Sequence, residues 1–283
     1  MKERAYAKIN LCLDIASRRD DGYHELKMIM VPLDFYDVLE MNRAPETTIS
    51  LNKSFLPVNE KNTVIKAISV MQERYGFDGG FACDLTKHIP TRAGLAGGSA
   101  DAAAAIRMIC RILKISPTVE ELIEIGREVG SDVPFCIFNK PSLVQGTGDR
   151  LEPFVCRTPF EILLVKPQKG VSTKEAFELA DHTEYTHPDV DTMRTALENN
   201  DYESVIASLG NSLEPAAITL VKEIRTVKER LIEEGFDGVL MSGSGSTVFA
   251  LTRDEALTER VMMKMRKEHY FVRRTRILNR GKI

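Results

Sequence analysis

The stretch Pro90-Thr91-Arg92-Ala93-Gly94-Leu95-Ala96-Gly97-Gly98-Ser99-Ala100-Asp101 decides the fold, because it joins a glycine-rich loop to a helix. Four alanines follow it, and then come apolar residues spaced as on one helical face, at Ile106, Ile109, Cys110 and Leu113. Three glycines within five positions allow the backbone to approach a ligand closely. The free amides of the first helical turn, at the positive end of the helix dipole, attract anions. The stretch therefore predicts a loop that binds phosphate groups.

Two side chains in this stretch have a chemical interpretation of their own. The hydroxyl of Ser99 could reach a phosphate oxygen or a magnesium ion. Asp101 is interpreted as an acid that complements the helix dipole from the first turn, not as a site residue. The loop has neither the lysine of a Walker A motif nor the GxGxxG of a dinucleotide-binding turn. Taken alone, it leaves open a tight turn that packs against a helix and binds nothing.

The charge balance argues against nucleic acid or a membrane surface as the main partner. The 283 residues contain 38 Lys and Arg against 41 Asp and Glu, which gives a net charge of -3. Surfaces that bind polyanions need a surplus of basic residues. No apolar run approaches the roughly 20 residues of a membrane span, and Lys8, Asn10 and Asp14 interrupt the N-terminal segment. We therefore expect a cytoplasmic protein.

The cysteines and histidines predict neither disulfides nor a metal site built from side chains. The five cysteines are widely spread, odd in number and without a CxxC pair, as expected of core residues in a reducing compartment. His182 and His187 are five positions apart, which does not place them on one helical face, so we interpret them as loop residues.

The pattern of strands and helices predicts an α+β protein with two domains. The N-terminal segment alternates: Ala7, Ile9 and Leu11 fall on one side of a strand, and Lys8 and Asn10 on the other. From residue 161 onward the order is strand, helices, two strands, helix and strand, with the longest of those first helices over 220–234. This order is typical of the split βαβ unit of a ferredoxin-like domain. We place the boundary near Pro153, which gives domains 1–152 and 153–283.

The glycine-rich stretch resembles the phosphate loop of the GHMP kinases, the superfamily that includes galactokinase, homoserine kinase and mevalonate kinase. The segment 240–246 (LMSGSGS) is similar to a third motif of that superfamily. The resemblance implies a two-domain GHMP kinase fold, with an N-terminal ribosomal-S5-like domain and a C-terminal ferredoxin-like domain. It also implies ATP as phosphoryl donor with Mg²⁺. The implied ATP-binding residues are Pro90, Thr91, Arg92, Ala93, Gly94, Leu95, Ala96, Gly97, Gly98, Ser99 and Ala100.

Three further segments resemble one branch of this superfamily. They are 7–11 (AKINL) followed by 19–26 (RDDGYHEL), and 130–135 (GSDVPF). That branch phosphorylates a cytidine-diphosphate-linked methylerythritol in the non-mevalonate route to isoprenoid precursors. The resemblance implies that Asp132 takes the proton of the acceptor hydroxyl, while Lys8 stabilises charge and orients the acceptor. Without it, Lys8 would be interpreted as a solvent-facing lysine, and Asp132 as a turn residue or N-cap.

The resemblance assigns the acceptor-binding residues as well. Tyr23 and His24 would read the cytosine, because an aromatic ring can stack on the base and an imidazole can bond its polar edge. Asn10, beside Lys8, would also contact the acceptor. Phe177 is a candidate for the other side of the base, although an aromatic residue at a helical position is more often part of the core.

Two residues depart from the superfamily pattern, and two other functions stay open. Arg92 stands where relatives carry a small or apolar residue, and it would contact phosphate or face solvent. Ala96 stands where many have glycine, so we expect no strongly positive φ there.

The alternatives are another GHMP kinase, such as a homoserine or mevalonate kinase, and a non-catalytic nucleotide-binding module. The segment 21–24 (DGYH) argues against the first, and the combination of Lys8, Asp132 and Ser99 against the second.

Overall fold

The fold is known from a computed structural model, which describes residues 1–278. These residues form two compact units that are interleaved along the chain. Unit 1 comprises Met1–Ala7, Phe35–Pro90 and Ala96–Asn139, and unit 2 comprises Lys8–Asp34, Thr91–Leu95 and the chain from Lys140 onward. Residues 1–152 contribute to both units, so the domain boundary near Pro153 stays a prediction.

Two long strands have residues in both units: β1 (Lys2–Arg18) and β2 (His24–Ala44). In β1 every residue from Ala5 to Leu13 is buried. The side of the strand that carries Lys8 and Asn10 is therefore as inaccessible to water as the apolar side. Alternation in the sequence predicted the strand correctly but did not reveal that both of its faces are covered.

Unit 1 continues with two strands and four helices: β3 (Thr48–Leu51), α1 (Thr63–Tyr75), β4 (Gly80–Thr86), α2 (Gly97–Leu113), α3 (Val119–Val129) and α4 (Val133–Phe138). The C-terminal half of β2 pairs antiparallel with β4, which pairs parallel with β3. Helix α2 packs against α1 and α4. Its residues 102–106 are fully buried, because the run of alanines allows the neighbouring helices to approach closely.

Local signals in the sequence set the ends of two helices in unit 1. The side chain of Asn62 accepts a hydrogen bond from the amide of Val64, and Gly76 ends α1 with φ +62°. Thr118 and Glu121 form a reciprocal capping box at the start of α3. The apolar periodicity of residues 62–75 in the sequence predicts this helix, with Asn62 as N-cap and Gly76 as stop, and the structure confirms it.

Up to residue 278, unit 2 adds seven strands and six helices: β5 (Ser142–Gly146), β6 (Arg150–Pro153), β7 (Glu161–Lys166), α5 (Thr173–Ala180), α6 (Val190–Asn199), α7 (Tyr202–Ala207), β8 (Gly210–Asn211), α8 (Glu214–Leu220), α9 (Glu223–Glu233), β9 (Gly238–Met241), β10 (Val248–Thr252), α10 (Glu255–Arg266) and β11 (Phe271–Thr275). The N-terminal half of β2 pairs antiparallel with β5, and β8 pairs parallel with β1.

Strands β7, β9, β10 and β11 form a separate antiparallel sheet in the order β11-β7-β10-β9. This is the strand order of a ferredoxin-like unit, as the sequence predicted. Helices α9 and α10 pack on the sheet. The helix predicted over 220–234 is wrong in its first turn. Val221 ends α8 with φ −138°, and a new helix begins at Glu223.

The five cysteines are free thiols, and three of them are buried. Burial raises the pKa of the Cys12 and Cys83 thiols to about 12, so both remain protonated and behave as small apolar residues. Within residues 1–278, no helix combines the length and the apolar character that crossing a bilayer requires.

Candidate active site

In unit 2, β1 presents a buried lysine beside a buried amide. Lys8 is 4% exposed and Asn10 is 1% exposed. Lys8 Nζ donates a hydrogen bond to Asn10 Oδ1 over 2.7 Å, and Asn10 Nδ2 donates to Met28 Sδ over 3.1 Å. Burying an ammonium group is costly unless polar partners surround it. Lys8 is therefore not the solvent-facing lysine that its mid-strand position alone would suggest.

The first half of the glycine-rich loop packs against the loop between β9 and β10. Gly94 has φ +71°, and a Cβ atom there would lie 1.9 Å from the carbonyl oxygen of Ser242. Ser242 Oγ donates to the carbonyl of Gly94 over 3.0 Å, and the amide of Thr247 donates to the carbonyl of Ala93 over 3.2 Å. A side chain at position 94 would separate the two loops, so glycine is required there for packing.

The β9–β10 loop also packs against Lys8. Gly243 has φ +55°, and a Cβ atom there would lie 3.2 Å from Asn10 Oδ1 and 3.4 Å from Lys8 Nζ. Asn211 Nδ2 holds this loop by donating to the carbonyl of Gly243 over 2.8 Å. The Ser-Gly-Ser-Gly-Ser motif at 242–246 is recognisable in the sequence, but the sequence indicates no role for it. The structure shows that its glycine backbone packs beside the lysine, and nothing in the sequence pointed to Asn211.

The second half of the glycine-rich loop, in unit 1, forms the start of α2. Ala96 precedes the helix with φ +55° and has no side-chain group to accept hydrogen bonds from the first-turn amides. Ser99 is half-buried in the first turn, and Ala100 is buried. Thr63 Oγ1 donates to the carbonyl of Gly98 over 2.7 Å. Amides in such a first turn have no intrahelical acceptor, so they remain available to an anion.

One expectation about the loop is corrected by its backbone. An alanine at position 96 predicted a negative φ, but Ala96 adopts the left-handed region of backbone conformation. The reason is that the loop must reverse direction there to enter α2. Arg92 also has positive φ, at +49°. Its side chain is exposed, and its backbone lies against Gly170, where a Cβ atom would come within 2.7 Å of the Arg92 carbonyl oxygen. Pro90 and Thr91 lie in the turn that precedes it.

The two aspartates singled out in unit 1 have different surroundings. Asp132 is half-buried and precedes α4, and its carboxylate makes no capping hydrogen bond to that helix. Asp101 lies beyond the first turn of α2, is 2% exposed and pairs with Lys87 Nζ over 2.5 Å. The interpretation of Asp101 as a first-turn acid is therefore wrong: it belongs to a buried ion cluster.

The residues expected to read a base lie around the start of β2 in unit 2. The His24 ring stacks on Phe177 with 4.9 Å between centroids and an angle of 24°. His24 Nε2 lies 2.7 Å from Oδ1 of Asp181, which also pairs with Arg18 over 3.3 Å. The hydrogen bond from His24 lowers the pKa of Asp181. Tyr23 is 67% exposed. The structure therefore brings His24 and Phe177 together and adds Asp181, which the sequence did not indicate.

The described residues offer no side-chain cage for a metal ion. Within residues 1–278, no three His, Cys, Asp or Glu side chains are grouped so that they could hold one. Magnesium prefers oxygen ligands and is commonly held by substrate phosphates together with few protein groups. A site with the Ser99 hydroxyl and the phosphates of a nucleotide fits that chemistry.

Comparison with known proteins identifies the family. Residues 62–140 match the model of the GHMP kinases N terminal domain, and residues 193–270 match that of the GHMP kinases C terminal domain. A relative from Exiguobacterium sibiricum, named 4-diphosphocytidyl-2-C-methyl-D-erythritol kinase, is 41% identical over 95% of this chain and 96% of its own. A relative of the same name from Bacillus pumilus is 40% identical over 93% of this chain and 92% of its own.

Solved structures agree with these matches. A crystal structure of 4-(cytidine 5'-diphospho)-2C-methyl-D-erythritol kinase superposes with a TM-score of 0.82 at 29% identity, covering 99% of this chain and 100% of that one. The homoserine kinase of Cytophaga hutchinsonii, at 20% identity and a TM-score of 0.72 over 96% of this chain and 94% of its own, shares the fold. The predicted two-domain α+β fold is thereby confirmed. With both of its domain models matched in order, the chain belongs to the GHMP kinase family.

Proposed function

We propose that the chain phosphorylates the 2-hydroxyl of 4-diphosphocytidyl-2-C-methyl-D-erythritol with ATP, a step in isoprenoid precursor biosynthesis. The relatives that carry this name are 40–41% identical over nearly the whole chain. The structural observation that carries the proposal is the start of α2, where a glycine-rich loop leads into uncapped helical amides. Such a start suits the phosphates of a nucleotide.

ATP would be held by the loop residues Pro90, Thr91, Arg92, Ala93, Gly94, Leu95, Ala96, Gly97, Gly98, Ser99 and Ala100. Backbone amides serve best where the chain approaches the phosphates without intervening side chains, and the glycines provide this. Magnesium would enter with the nucleotide, bound to phosphate oxygens with Ser99 as a hydroxyl ligand. Bound there, it would neutralise phosphate charge.

Lys8 and Asp132 are the proposed catalytic residues. Asp132 would accept the proton of the acceptor hydroxyl, which makes the oxygen a better nucleophile. Lys8 would stabilise the charge that develops on the transferred group. The buried position of Lys8, held by Asn10 and flanked by Gly243, supports this role, because an ammonium fixed by a rigid strand loses little freedom when it acts.

Asn10, Tyr23, His24 and Phe177 are the proposed acceptor-binding residues. The support is that His24 and Phe177 already form an aromatic pair and that the exposed residue Tyr23 directly precedes His24 in the chain. A cytosine could stack on such rings, and its polar edge could bond the imidazole.

We also propose a cytoplasmic enzyme whose partners are ATP and this acceptor, not nucleic acid or membrane. The net charge of -3 supports this, because polyanionic partners select basic surfaces.

An ADP-release assay tests the proposed function directly. The acceptor panel is the cytidylated methylerythritol, homoserine, mevalonate and galactose, each with magnesium and ATP. We expect turnover with the cytidylated compound alone, and phosphorus NMR of the product should show a new phosphomonoester on the 2-oxygen. Preference for homoserine or mevalonate would assign the chain to another branch of the family. Nucleotide binding without turnover on any acceptor would indicate a binding module.

A further inference from the structure

Three charged side chains are buried together in unit 1, next to the start of α2. Asp37 of β2 is 0% exposed, Lys87 after β4 is 5% exposed, and Asp101 of α2 is 2% exposed. Lys87 Nζ donates to Oδ2 of both carboxylates, at 2.5 Å in the case of Asp101. Buried charges are costly and persist only where partners satisfy them. The proposed catalytic roles do not use any of these three residues.

The cluster is bonded to the chain on both sides of the glycine-rich loop. Before the loop, Asp37 Oδ1 accepts hydrogen bonds from the amides of His88 and Ile89, the latter over 2.8 Å. After the loop, Asp101 connects Lys87 to α2. Lys87 therefore joins the segment that leads into the loop to the helix that follows it.

Gly97, the first residue of α2, packs directly on this connection. A Cβ atom on Gly97 would lie 3.3 Å from Lys87 Nζ and 2.9 Å from Ile89 Cγ2. The distance between the helix start and the preceding segment is thus set by Lys87 and Ile89. If the Lys87 side chain moved, the amides of the first turn of α2 would move with it, even though the Lys87 ammonium group itself is buried.

The charge of the cluster is not balanced by simple pairing, since one ammonium faces two carboxylates. Burial raises the pKa of Asp101 well above its usual range, with a further contribution from Asp37, while Lys87 opposes the increase. Asp101 Oδ1 has no hydrogen-bond partner within the described residues. A neutral group at position 101 is therefore compatible with the site, provided that it keeps an oxygen for Lys87.

We propose that Lys87, held by Asp37 and Asp101, is a positioning residue for ATP. It fixes the start of α2 relative to the segment that enters the loop, so that the first-turn amides meet the nucleotide phosphates in one arrangement. The proposal rests on the proposed function, because it requires this loop to bind ATP. A cluster that served stability alone would change the melting temperature and leave the ATP constants as they are.

The test removes the ion pair that connects Lys87 to Asp101 of α2. Both residues are replaced, so that neither the Lys87 ammonium nor the Asp101 carboxylate remains without its partner. The double variant Lys87→Met/Asp101→Leu replaces both with apolar groups, an exchange that buried ion pairs often tolerate. Asp37 keeps its two backbone donors on Oδ1 in this variant but loses its ammonium partner on Oδ2, so the melting temperature is measured together with the ATP constants. Asp101→Asn is the conservative variant, since its amide oxygen still accepts from Lys87. Leu231→Ala in α9 of unit 2 is a control that loses core packing away from the loop.

The readouts are the Kd of a non-hydrolysable ATP analogue, the separate KM values for ATP and acceptor, and the melting temperature. For the double variant we expect the ATP Kd and KM to rise about tenfold or more, with the acceptor KM within about twofold. Asp101→Asn should retain most of the ATP affinity. The control should lose melting temperature with an unchanged ATP Kd.

An ATP Kd in the double variant equal to that of the wild type would overturn the proposal. If the double variant does not fold, Lys87→Gln takes its place in the same titration, with the same expected rise and the same contrary result. A wild-type protein that bound no ATP would instead contradict the proposed function.

Discussion

His24 and Asp181 are 157 residues apart in the chain, yet Nε2 of the imidazole lies 2.7 Å from a carboxylate oxygen of the aspartate. The lowered pKa of Asp181 keeps that carboxylate ionised near neutral pH. An ionised acceptor at Nε2 favours the tautomer that carries its proton there, which leaves Nδ1 as an acceptor. Asp181 thus sets which hydrogen bond His24 can offer to a base.

Removing the imidazole should weaken acceptor binding selectively. For His24→Ala we expect the acceptor KM to rise roughly ten- to a hundredfold, because a polar group of the buried base is then left unpaired, which costs about 1–3 kcal/mol. Asp181→Asn should raise the same constant less, since the ring stays but its tautomer is no longer fixed. Steady-state kinetics with ATP and acceptor varied separately measure both. A defect confined to the ATP constant would remove His24 from acceptor binding.

The exposed ring of Tyr23 should contribute through its face and not through its hydroxyl. Tyr23→Ala should lose stacking worth about 1–3 kcal/mol and raise the acceptor KM accordingly. Tyr23→Phe keeps the aromatic face and serves as the matched control, with an acceptor KM close to that of the wild type. Equal behaviour of the two variants in the same kinetic assay would show that Tyr23 does not stack on the base.

Asp132→Asn should lower kcat by roughly 10²-fold or more, because an amide cannot take the proton of the acceptor hydroxyl. Asparagine has nearly the shape of aspartate and keeps an oxygen acceptor, so we expect the melting temperature to change little. ATP affinity, measured by titration with a fluorescent analogue, should also be retained. Turnover at the wild-type rate would exclude Asp132 as the base.

Gly97→Val should abolish tight ATP binding, because a branched side chain would displace Ile89 and Lys87 and cover the first-turn amides. We expect a loss of about 1–3 kcal/mol in stability from the same overpacking. Gly76→Ala is the control: its φ of +62° strains an alanine, but a Cβ atom there meets nothing within 4 Å. It should lose stability without losing ATP affinity. Unchanged affinity for the analogue in Gly97→Val would mean that this glycine serves packing alone.

Gly243→Ala should reduce kcat about tenfold, with smaller effects on both KM values, because its Cβ atom would press on Asn10 and Lys8. Gly235→Ala is closely matched. Its φ is also positive, at +97°, it lies in the same unit, and a Cβ atom there has open space around it. Both variants should be destabilised by backbone strain, but only the first should turn over slowly. Equal kcat values would show that the β9–β10 loop does not position Lys8.

The features that the sequence predicted correctly are decided by residues that are close together in the chain. The caps of α1 at Asn62 and Gly76 are confirmed because a helix end is decided by the few residues that surround it. The break between α8 and α9 was missed, since good helix formers on both sides of Val221 conceal it.

What the sequence did not predict depends on distant partners. Asp101 was misinterpreted because its partners, Lys87 and Asp37, come from other strands and loops. The same holds for Asp181, which only the fold brings to His24. At Ala96, the path of the chain into α2 overrides the preference of alanine against the left-handed region.

The interleaving of the two units has a consequence for synthesis on the ribosome. Unit 1 is complete once Asn139 has emerged, but Lys8–Asp34 belongs to unit 2. Cys12 of β1 pairs with Gly210 of β8, so that edge of β1 waits for 198 further residues, the difference between the two positions. At about 5–20 residues per second this wait lasts roughly 10–40 s. A strand edge that stays unpaired for so long is open to wrong pairing and to chaperones. Strand β1 holds Lys8 rigidly in the folded protein, and the edge of the same strand is therefore exposed in the nascent chain.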